Sequence, residues 1–222
     1  MGSSLAFPVT LTLKTCASCL ILFIAAGLPL ALWGSRSRSI ASRIVSFFVT
    51  LPLVFPPIAM GFILLLLLGK NGPVGSLLDA LFGFRFVFSQ YAVVTAAFIA
   101  GLPLVVRPLQ AAMEKIDVLR LEEAARANGC GPVRTFFLIT VPQVGNTLIS
   151  GLLLATARAS GEVGISLMIG GNISGRTNTL SLEIYNSVSS GDFDSAMYLC
   201  AILAAAGLVL YALLEKYRIR EV

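Results

Sequence analysis

The sequence has 222 residues, of which 57% are apolar and 12% are charged, and its mean hydropathy is +0.90. Soluble domains average about 45–50% apolar and about 25% charged residues, so the composition predicts an all-α membrane protein. The chain contains no histidine, which excludes Ser-His-Asp hydrolysis, His-ligated zinc or haem, and histidine proton relays. The net charge is +5, but the sequence has no stripe of basic residues with interleaved aromatic residues. We therefore interpret the excess of basic residues as a signal that sets membrane topology, and we expect no nucleic-acid partner.

Five apolar runs follow one another along the chain, and each is long enough to cross or nearly cross a bilayer of about 30 Å. They cover approximately residues 7–33, 44–68, 88–106, 144–160 and 195–214. We therefore predict about five transmembrane helices. Polar residues interrupt the pattern in 144–171, and a re-entrant or broken segment there would raise the count to six.

Basic residues are concentrated in the first connection, the third connection and the tail. They are Arg36, Arg38, Arg43, Arg107, Lys115, Arg120, Arg126, Arg134, Lys216, Arg218 and Arg220. Because cytoplasmic segments of membrane proteins carry an excess of Lys and Arg, these three stretches are predicted to be cytoplasmic. The amino end of the chain then lies outside the membrane and the carboxyl end lies in the cytoplasm.

The second apolar run contains Leu51-Pro52-Leu53-Val54-Phe55-Pro56-Pro57. Neither Pro56 nor Pro57 has a backbone N–H to donate to the carbonyl four residues earlier, so the helix is predicted to bend or open there. Two interpretations fit equally well: a bent helix that lines a translocation path, or an ordinary kinked membrane helix.

The third connection predicts two helices that meet at a glycine, which we call the elbow. Residues 117–128 consist mostly of helix formers, and Gly129 is positioned to end that helix with a left-handed backbone conformation. Gly131-Pro132 then restarts a second helix, which is predicted to stop at Pro142. A compact elbow with one face of small residues is suited to insertion in the groove of a partner protein.

Arg158 and Glu162 are four residues apart and therefore share one face of a helix. Charged side chains near the interior of a bilayer are usually paired or functional. We predict an ion pair inside the helix bundle and consider direct contact with a transported substrate the less favoured alternative.

The elbow resembles a known motif. Glu123-Ala124-Ala125, three residues, Gly129, nine residues, Ile139, one residue, Val141 and Pro142 are similar to the E-A-A…G…I-x-L-P coupling motif of the membrane subunits of bacterial ABC importers. The one departure is Val141, which stands in place of leucine. A nearer resemblance, to the molybdate permease subfamily, covers nearly the whole chain and is carried by residues 51–57, 161–164 and 171–180.

This resemblance implies a type I ABC importer permease fold, with residues 1–222 as a single transmembrane permease domain in the cell inner membrane and a coupling segment at about residues 113–142. It implies an ATP-driven importer of an oxyanion, with molybdate as the first expectation and with tungstate or sulfate as alternatives. The implied partners are membrane lipid, a second copy of the chain, two cytoplasmic ATPase subunits and a periplasmic or extracellular oxyanion-binding protein. The residues assigned to ATPase coupling are Glu123, Ala124, Ala125, Gly129, Ile139 and Pro142.

The sequence itself predicts that ATP is hydrolysed on another chain. Its only Gly-Lys pair, Gly69-Lys70, lacks the remaining residues of a phosphate-binding loop. We therefore expect no enzymatic activity, no catalytic residue and no bound metal or cofactor in this chain, and we expect ATP and Mg²⁺ on the partner ATPase.

A tetrahedral dianion can be bound by backbone N–H groups and hydroxyls without a full countercharge, which also permits its release. Candidate residues for the translocation path or its outer mouth are Pro56, Pro57, Ser160, Asn172, Ser174, Thr177 and Thr179, with Arg176 as an electrostatic lure. The alternative for the polar residues is a solvated periplasmic loop that contacts only the delivery protein.

Two other classes of protein are less favoured. An integral membrane enzyme of lipid metabolism would need clustered acidic residues to hold a metal at the membrane face. In this chain Glu114, Asp117, Glu122 and Glu123 are dispersed around one helix among basic residues. A channel or a passive structural subunit would give no reason for the elbow.

Overall fold

The computed structural model describes the backbone of residues 2–218 and the side chains of residues 6–212, 215 and 216. Arg220, which belongs to the basic tail, lies outside the described residues. Throughout the described part of the chain the regular structure is helical, which confirms the predicted all-α class. The helices are α1 (Gly2–Leu22), α2 (Leu28–Arg36), α3 (Ile40–Val54), α4 (Pro57–Leu68), α5 (Pro73–Phe82), α6 (Gln90–Met113), α7 (Ile116–Ala127), α8 (Pro132–Thr135), α9 (Val141–Gln143), α10 (Gly145–Ser160), α11 (Gly164–Gly170), α12 (Leu180–Ser189) and α13 (Phe193–Arg218).

Within the described residues, three helical segments are long and apolar enough to cross a membrane: Ala6–Arg36, Gln90–Met113 and Phe193–Ala212. The first of them joins α1 to α2 through a π-helical turn at Phe23–Gly27. Two bent pairs of helices raise the count to five, and α3 is a further, shorter apolar helix. The structure therefore agrees with a prediction of about five spans, or six.

Helix α6 lies at the centre of the bundle and packs against α10, α2, α3, α11 and α1. Five alanines and Gly101 are among its buried residues, and these small residues let neighbouring helix backbones approach closely. At Gly101, an added Cβ would lie 2.9 Å from the carbonyl oxygen of Ala155 in α10. Glycine at this position thus sets the distance between the two helices.

The apolar run at residues 44–68, which was predicted as a single span, is divided into α3 and α4. The predicted extent of this span was therefore wrong. Helix α3 ends at Val54, and Phe55 and Pro56 are extended before α4 begins at Pro57. Two consecutive prolines remove two donors from the helical ladder, which explains why the helix opens here. Helix α4 instead forms a bent pair with α5, at an angle of 45°.

The elbow forms largely as predicted. Helix α7 is followed by Gly129 at φ +82°, and Pro132 occupies the first turn of α8. The second arm continues through a π-helical turn at Phe136–Thr140 into α9 and ends at Gln143, one residue beyond the predicted stop at Pro142. Pro142 cannot donate to the carbonyl four residues earlier, and a widened turn accommodates such a missing bond. The elbow then meets α10 at an angle of 70°.

A buried carboxylate attaches the elbow to the rest of the bundle. Glu122 is 4% exposed, and its Oε1 accepts hydrogen bonds from Arg36 Nη2 and Thr140 Oγ1. Arg126 Nη2 lies 3.5 Å from Oε2 of the same carboxylate. Arg36 Nη1 also donates to the carbonyl of Met113 at 2.9 Å. This Glu122 cluster joins the ends of α2 and α6 to both arms of the elbow.

We predict that Glu122→Gln destabilises the protein while Glu123→Gln does not. The amide is nearly isosteric but leaves the Arg36 guanidinium without its counter-charge, which costs about 2 kcal/mol in a largely buried pair. For a chain of this size, the midpoint of thermal unfolding in detergent should fall by about 4–8 °C. Glu123 is exposed, so the same change there should leave the midpoint within about 1–2 °C. Equal midpoints for the two variants would contradict the structural role of Glu122.

Candidate functional site

The residues predicted to couple the chain to an ATPase lie on an uncovered surface of the elbow. Helix α7 buries Val118 and Glu122 against the bundle, whereas Glu123 and Ala124 are exposed and Ala125 is partly exposed. On the second arm, Ile139 is partly exposed and Pro142 is exposed. The structure thus leaves the small-residue face of α7 open to a partner, and the coupling role of these residues stays a prediction.

The turn between the two arms is fixed by backbone hydrogen bonds. Cys130 N donates to Ala125 O, and Gly129 N donates to Arg126 O, each at 3.0 Å. This pattern closes the end of α7 with a residue in the left-handed region, which favours glycine. Nothing lies within 4 Å of the position that a Cβ would take at Gly129. The requirement for glycine therefore comes from the backbone conformation and not from a lack of space.

Two helix breaks that are far apart in sequence meet in the structure. One is the Phe55–Pro56 break before α4, and the other separates α10 from α11 at residues 161–163. A Cβ added at Gly164 would lie 2.7 Å from Pro57 Cβ and 3.1 Å from Ile58 N. Only a hydrogen atom fits between the two backbones at this point, which we call the Pro57–Gly164 contact.

A second buried carboxylate holds the break between α10 and α11. Glu162 Oε2 accepts a hydrogen bond from Arg158 Nη1 at 2.7 Å, and its Oε1 accepts from Ile165 N at 2.7 Å. The Glu162 side chain is 1% exposed and the Arg158 side chain 36% exposed. The carbonyl of Ser160, the last residue of α10, accepts a hydrogen bond from Ser181 Oγ at 2.6 Å. The charge of Arg158 is thus neutralised beside the break.

The break before α4 is uncovered in the single chain. Phe55, Pro56 and Pro57 are all exposed, and the two prolines leave the carbonyls of Pro52 and Leu53 without their helical donors. Irregular backbone at membrane depth is tolerated only against protein or water, because lipid cannot donate hydrogen bonds to it. This surface is therefore unsuited to contact with lipid.

The buried hydroxyls of the segment between α11 and α12 are used to build the segment itself. Thr177 is fully buried, and its Oγ1 accepts a hydrogen bond from Ile173 N at 2.9 Å. Thr179 caps α12, since its Oγ1 accepts from Leu182 N at 3.3 Å. In this conformation neither hydroxyl is available to a transported ion, and both have local structural roles.

The remaining polar candidates divide into one that is engaged and two that are exposed. Asn172 adopts φ +49° and exchanges side-chain amide hydrogen bonds with Asn186. Ser174 and Arg176 are exposed. If this segment contacts a transported ion or a delivery protein, Ser174 and Arg176 are the side chains that reach the surface.

Sequence reasoning missed two residues in particular. Glu122 was treated as one of several dispersed acidic residues, although it is the buried partner of Arg36. Arg107 was identified only as one of the basic residues of the third connection. It donates to Thr50 Oγ1 at 2.6 Å and to Ser46 O at 3.2 Å, and so joins α6 to α3. The local sequence gives no signal for either contact, because both partners are distant in the chain.

The chain is similar to known transport proteins along most of its length. The family described as binding-protein-dependent transport system inner membrane component matches residues 24–218. The molybdenum transport system permease protein ModB of Azotobacter vinelandii is 36% identical over 209 residues, which cover 94% of this chain and 90% of that protein. The ModB protein of Escherichia coli strain K12 is 39% identical over 160 residues, covering 72% of this chain and 69% of that protein.

The fold is also that of a solved ABC transporter. A chain in the crystal structure of a bacterial alginate ABC transporter in complex with alginate pentasaccharide-bound periplasmic protein superposes with a TM-score of 0.73. The identity is 18%, and the match covers 95% of this chain and 77% of that one, so the likeness shows the fold alone. Taken with the family match, it shows that this chain, a multi-pass membrane protein with a type I permease fold, belongs to the family of inner membrane components of binding-protein-dependent transport systems.

Proposed function

We propose that this chain forms the membrane path of an ATP-driven oxyanion importer and that molybdate is its cargo. The observation that carries this proposal is the similarity to molybdenum permeases over as much as 94% of the chain. Tungstate and sulfate are the alternative cargoes, because they are tetrahedral dianions of the same charge. The delivery of the anion is assigned to a separate binding protein, as the family description implies.

We place the translocation path between two copies of the chain. The uncovered Phe55–Pro56 break supports this placement, because its backbone carbonyls need water or protein as a neighbour. A second copy packed around a water-filled path supplies both. Arg158 is already paired with Glu162, so it adds little net charge that would hold a dianion and slow its release.

The elbow is assigned to two cytoplasmic ATPase subunits, one for each copy of the chain. Its exposed face carries Glu123 and Ala124, while Glu122 on the opposite face ties the elbow to the bundle. Helix α10 begins at the elbow and ends at the second helix break. With 16 residues it is roughly 24 Å long, so movement of the elbow is carried directly to the Pro57–Gly164 contact. ATP binding on the partner would then shift the population between outward-open and inward-open packings.

The distribution of basic residues supports an amino end outside and a carboxyl end in the cytoplasm. We expect a membrane-impermeant thiol reagent applied from outside to label a cysteine placed at Asp192 and not one placed at Arg126. The labelling would be carried out on intact cells, with a cysteine-free background as the control. Labelling of both positions from the same side would contradict this orientation.

We predict that Gly129→Val uncouples the permease from its ATPase, whereas Gly131→Val does not. Valine at φ +82° is strained by roughly 1–3 kcal/mol, so the turn should distort. Gly131 has φ −66° and ψ 161°, which valine adopts readily, and both positions have open space around a Cβ. The measurements are co-purification with the ATPase and uptake in cells. Full uptake in Gly129→Val, or an equal loss in both variants, would contradict the coupling model.

The proposed function is tested by purifying the chain with its neighbouring gene products and reconstituting them in proteoliposomes. We expect an ATPase to co-purify and labelled molybdate to enter only with ATP and the binding protein. A hundredfold excess of sulfate should leave molybdate uptake nearly unchanged, and Arg176→Ala should slow it less than about fivefold, because one exposed charge contributes about 1 kcal/mol or less. Equal competition by sulfate would overturn the cargo, and absence of an ATPase would overturn the permease assignment.

A further inference from the structure

A cavity lies between α1 and the start of α6, and neither of these helices contains one of the two helix breaks. Its volume is about 920 Å³, and its lining includes Lys14, Ser18 and Leu22 of α1, Val94 of α6, and Arg176 from the segment before α12. We call it the α1–α6 cavity. Neither Pro57 nor Gly164 lines it, so it lies apart from the Pro57–Gly164 contact, and Arg176 is the one lining residue that is also a candidate for the outer mouth of the path.

One part of this cavity is cationic. Lys14 and Arg176 are both exposed, and neither has a carboxylate partner within 4 Å among the described side chains. Among the described residues that line the cavity, none is acidic. Thr15, which also lines it, has a buried Oγ1 that finds no hydrogen-bond partner in the described part of the chain. The lining of one cavity thus includes two cations without a carboxylate partner and a residue with an unpartnered hydroxyl.

The depth of the cavity follows from the length of the first span. Lys14 and Arg36 are 22 residues apart in one continuous helical segment, a distance of roughly 33 Å. A hydrocarbon core is about 30 Å thick, so these two cations lie at opposite membrane interfaces. Leu22 is eight residues beyond Lys14, which places it roughly 12 Å deeper in the membrane. The cavity thus runs from a cationic interface toward an apolar interior.

Aromatic residues line the end of the cavity that lies at the membrane interface. Tyr91, at the start of α6, is 66% exposed and packs edge-on against Phe84, with ring centroids 5.5 Å apart. Both residues line the cavity. Tyrosine is enriched at the level of lipid headgroups, where its apolar ring contacts lipid and its hydroxyl group is hydrated. This end of the cavity therefore has the composition expected beside a layer of headgroups.

We propose that the α1–α6 cavity binds a phospholipid with an anionic headgroup. The headgroup phosphate lies between Lys14 and Arg176, and an acyl chain extends along Leu22 and Val94 toward the membrane interior. An inorganic dianion would gain nothing from these apolar walls, whereas an amphiphile matches both ends of the cavity. The proposal does not depend on the identity of the cargo.

The test of the headgroup site is native mass spectrometry of the purified permease–ATPase complex with two lipids that carry the same acyl chains. Palmitoyl-oleoyl phosphatidylglycerol should remain bound, and the zwitterionic phosphatidylcholine should not. Lys14→Gln and Arg176→Gln should each weaken phosphatidylglycerol binding about fivefold. Lys70→Gln is the matched control, because Lys70 is an exposed cation between α4 and α5 that lines a different cavity, whose lining also includes Asp79. Equal binding of the two lipids, or an equal loss in Lys70→Gln, would overturn the proposal.

A second pair of measurements separates a lipid from a free phosphate compound. Leu22→Trp fills the apolar end while both cations remain, and it should weaken phosphatidylglycerol binding at least as much as the loss of one charge. Millimolar glycerol 3-phosphate, which has the headgroup chemistry without acyl chains, should not displace the lipid. Unchanged lipid binding in Leu22→Trp, or displacement by glycerol 3-phosphate, would show that the site does not recognise an acyl chain. Retention of the ATPase in every variant is expected and keeps this test independent of the coupling model.

Discussion

The structure depends on one constraint: inside a membrane, each backbone N–H and C=O must find a partner within the protein or in enclosed water. A helix without internal proline, such as α13, satisfies the constraint locally. The two breaks do not, and they differ in how far the single chain compensates for the missing hydrogen bonds. Between α10 and α11, the Glu162 carboxylate accepts from a backbone N–H at the start of α11. Before α4, two prolines supply no N–H to the carbonyls of Pro52 and Leu53, and Phe55, Pro56 and Pro57 are exposed in the single chain. The contact between Pro57 and Gly164 brings the two helix breaks together at one place.

Buried carboxylates mark both ends of α10. Glu122 bonds to Thr140 just before this helix, and Glu162 follows shortly after its last residue. Each is paired with an arginine and also accepts from a neutral donor, Thr140 Oγ1 in one case and Ile165 N in the other. Removing one partner of such a pair costs more than the net stabilisation by the pair, because a buried charge is then left uncompensated. The helix that joins the elbow to the membrane breaks is therefore held firmly at both ends, as a mechanical link requires.

Much of this architecture could be predicted from local sequence, and the failures have a common cause. The five apolar runs, the glycine turn at Gly129 and the proline break before α4 are properties of short windows, and the structure contains all three. Glu122 and Glu123 are neighbours with the same chemistry. Glu122 is the buried one, and its partners include Arg36, which is 86 residues away, and Thr140 on the second arm of the elbow. Thr177 and Thr179 belong to a polar segment that was a candidate for substrate contact, yet local backbone N–H groups use both hydroxyls. The local sequence pattern predicts where the helices lie. Contacts between elements that are distant in the chain decide which side chains remain available to bind a partner or an ion.

The uncovered break before α4 also has a consequence for biosynthesis. In the single chain, Phe55, Pro56 and Pro57 are exposed at this break, beside apolar side chains that include Val54, 78% exposed, and Ile58, 54% exposed. The two prolines supply no N–H to the carbonyls of Pro52 and Leu53, and lipid cannot replace the missing donors. In the proposed dimer, assembly of the two copies would cover this backbone at the same time as it creates the path. A newly inserted copy would then satisfy its backbone only on pairing, so the prolines that open the helix also make each subunit depend on its partner.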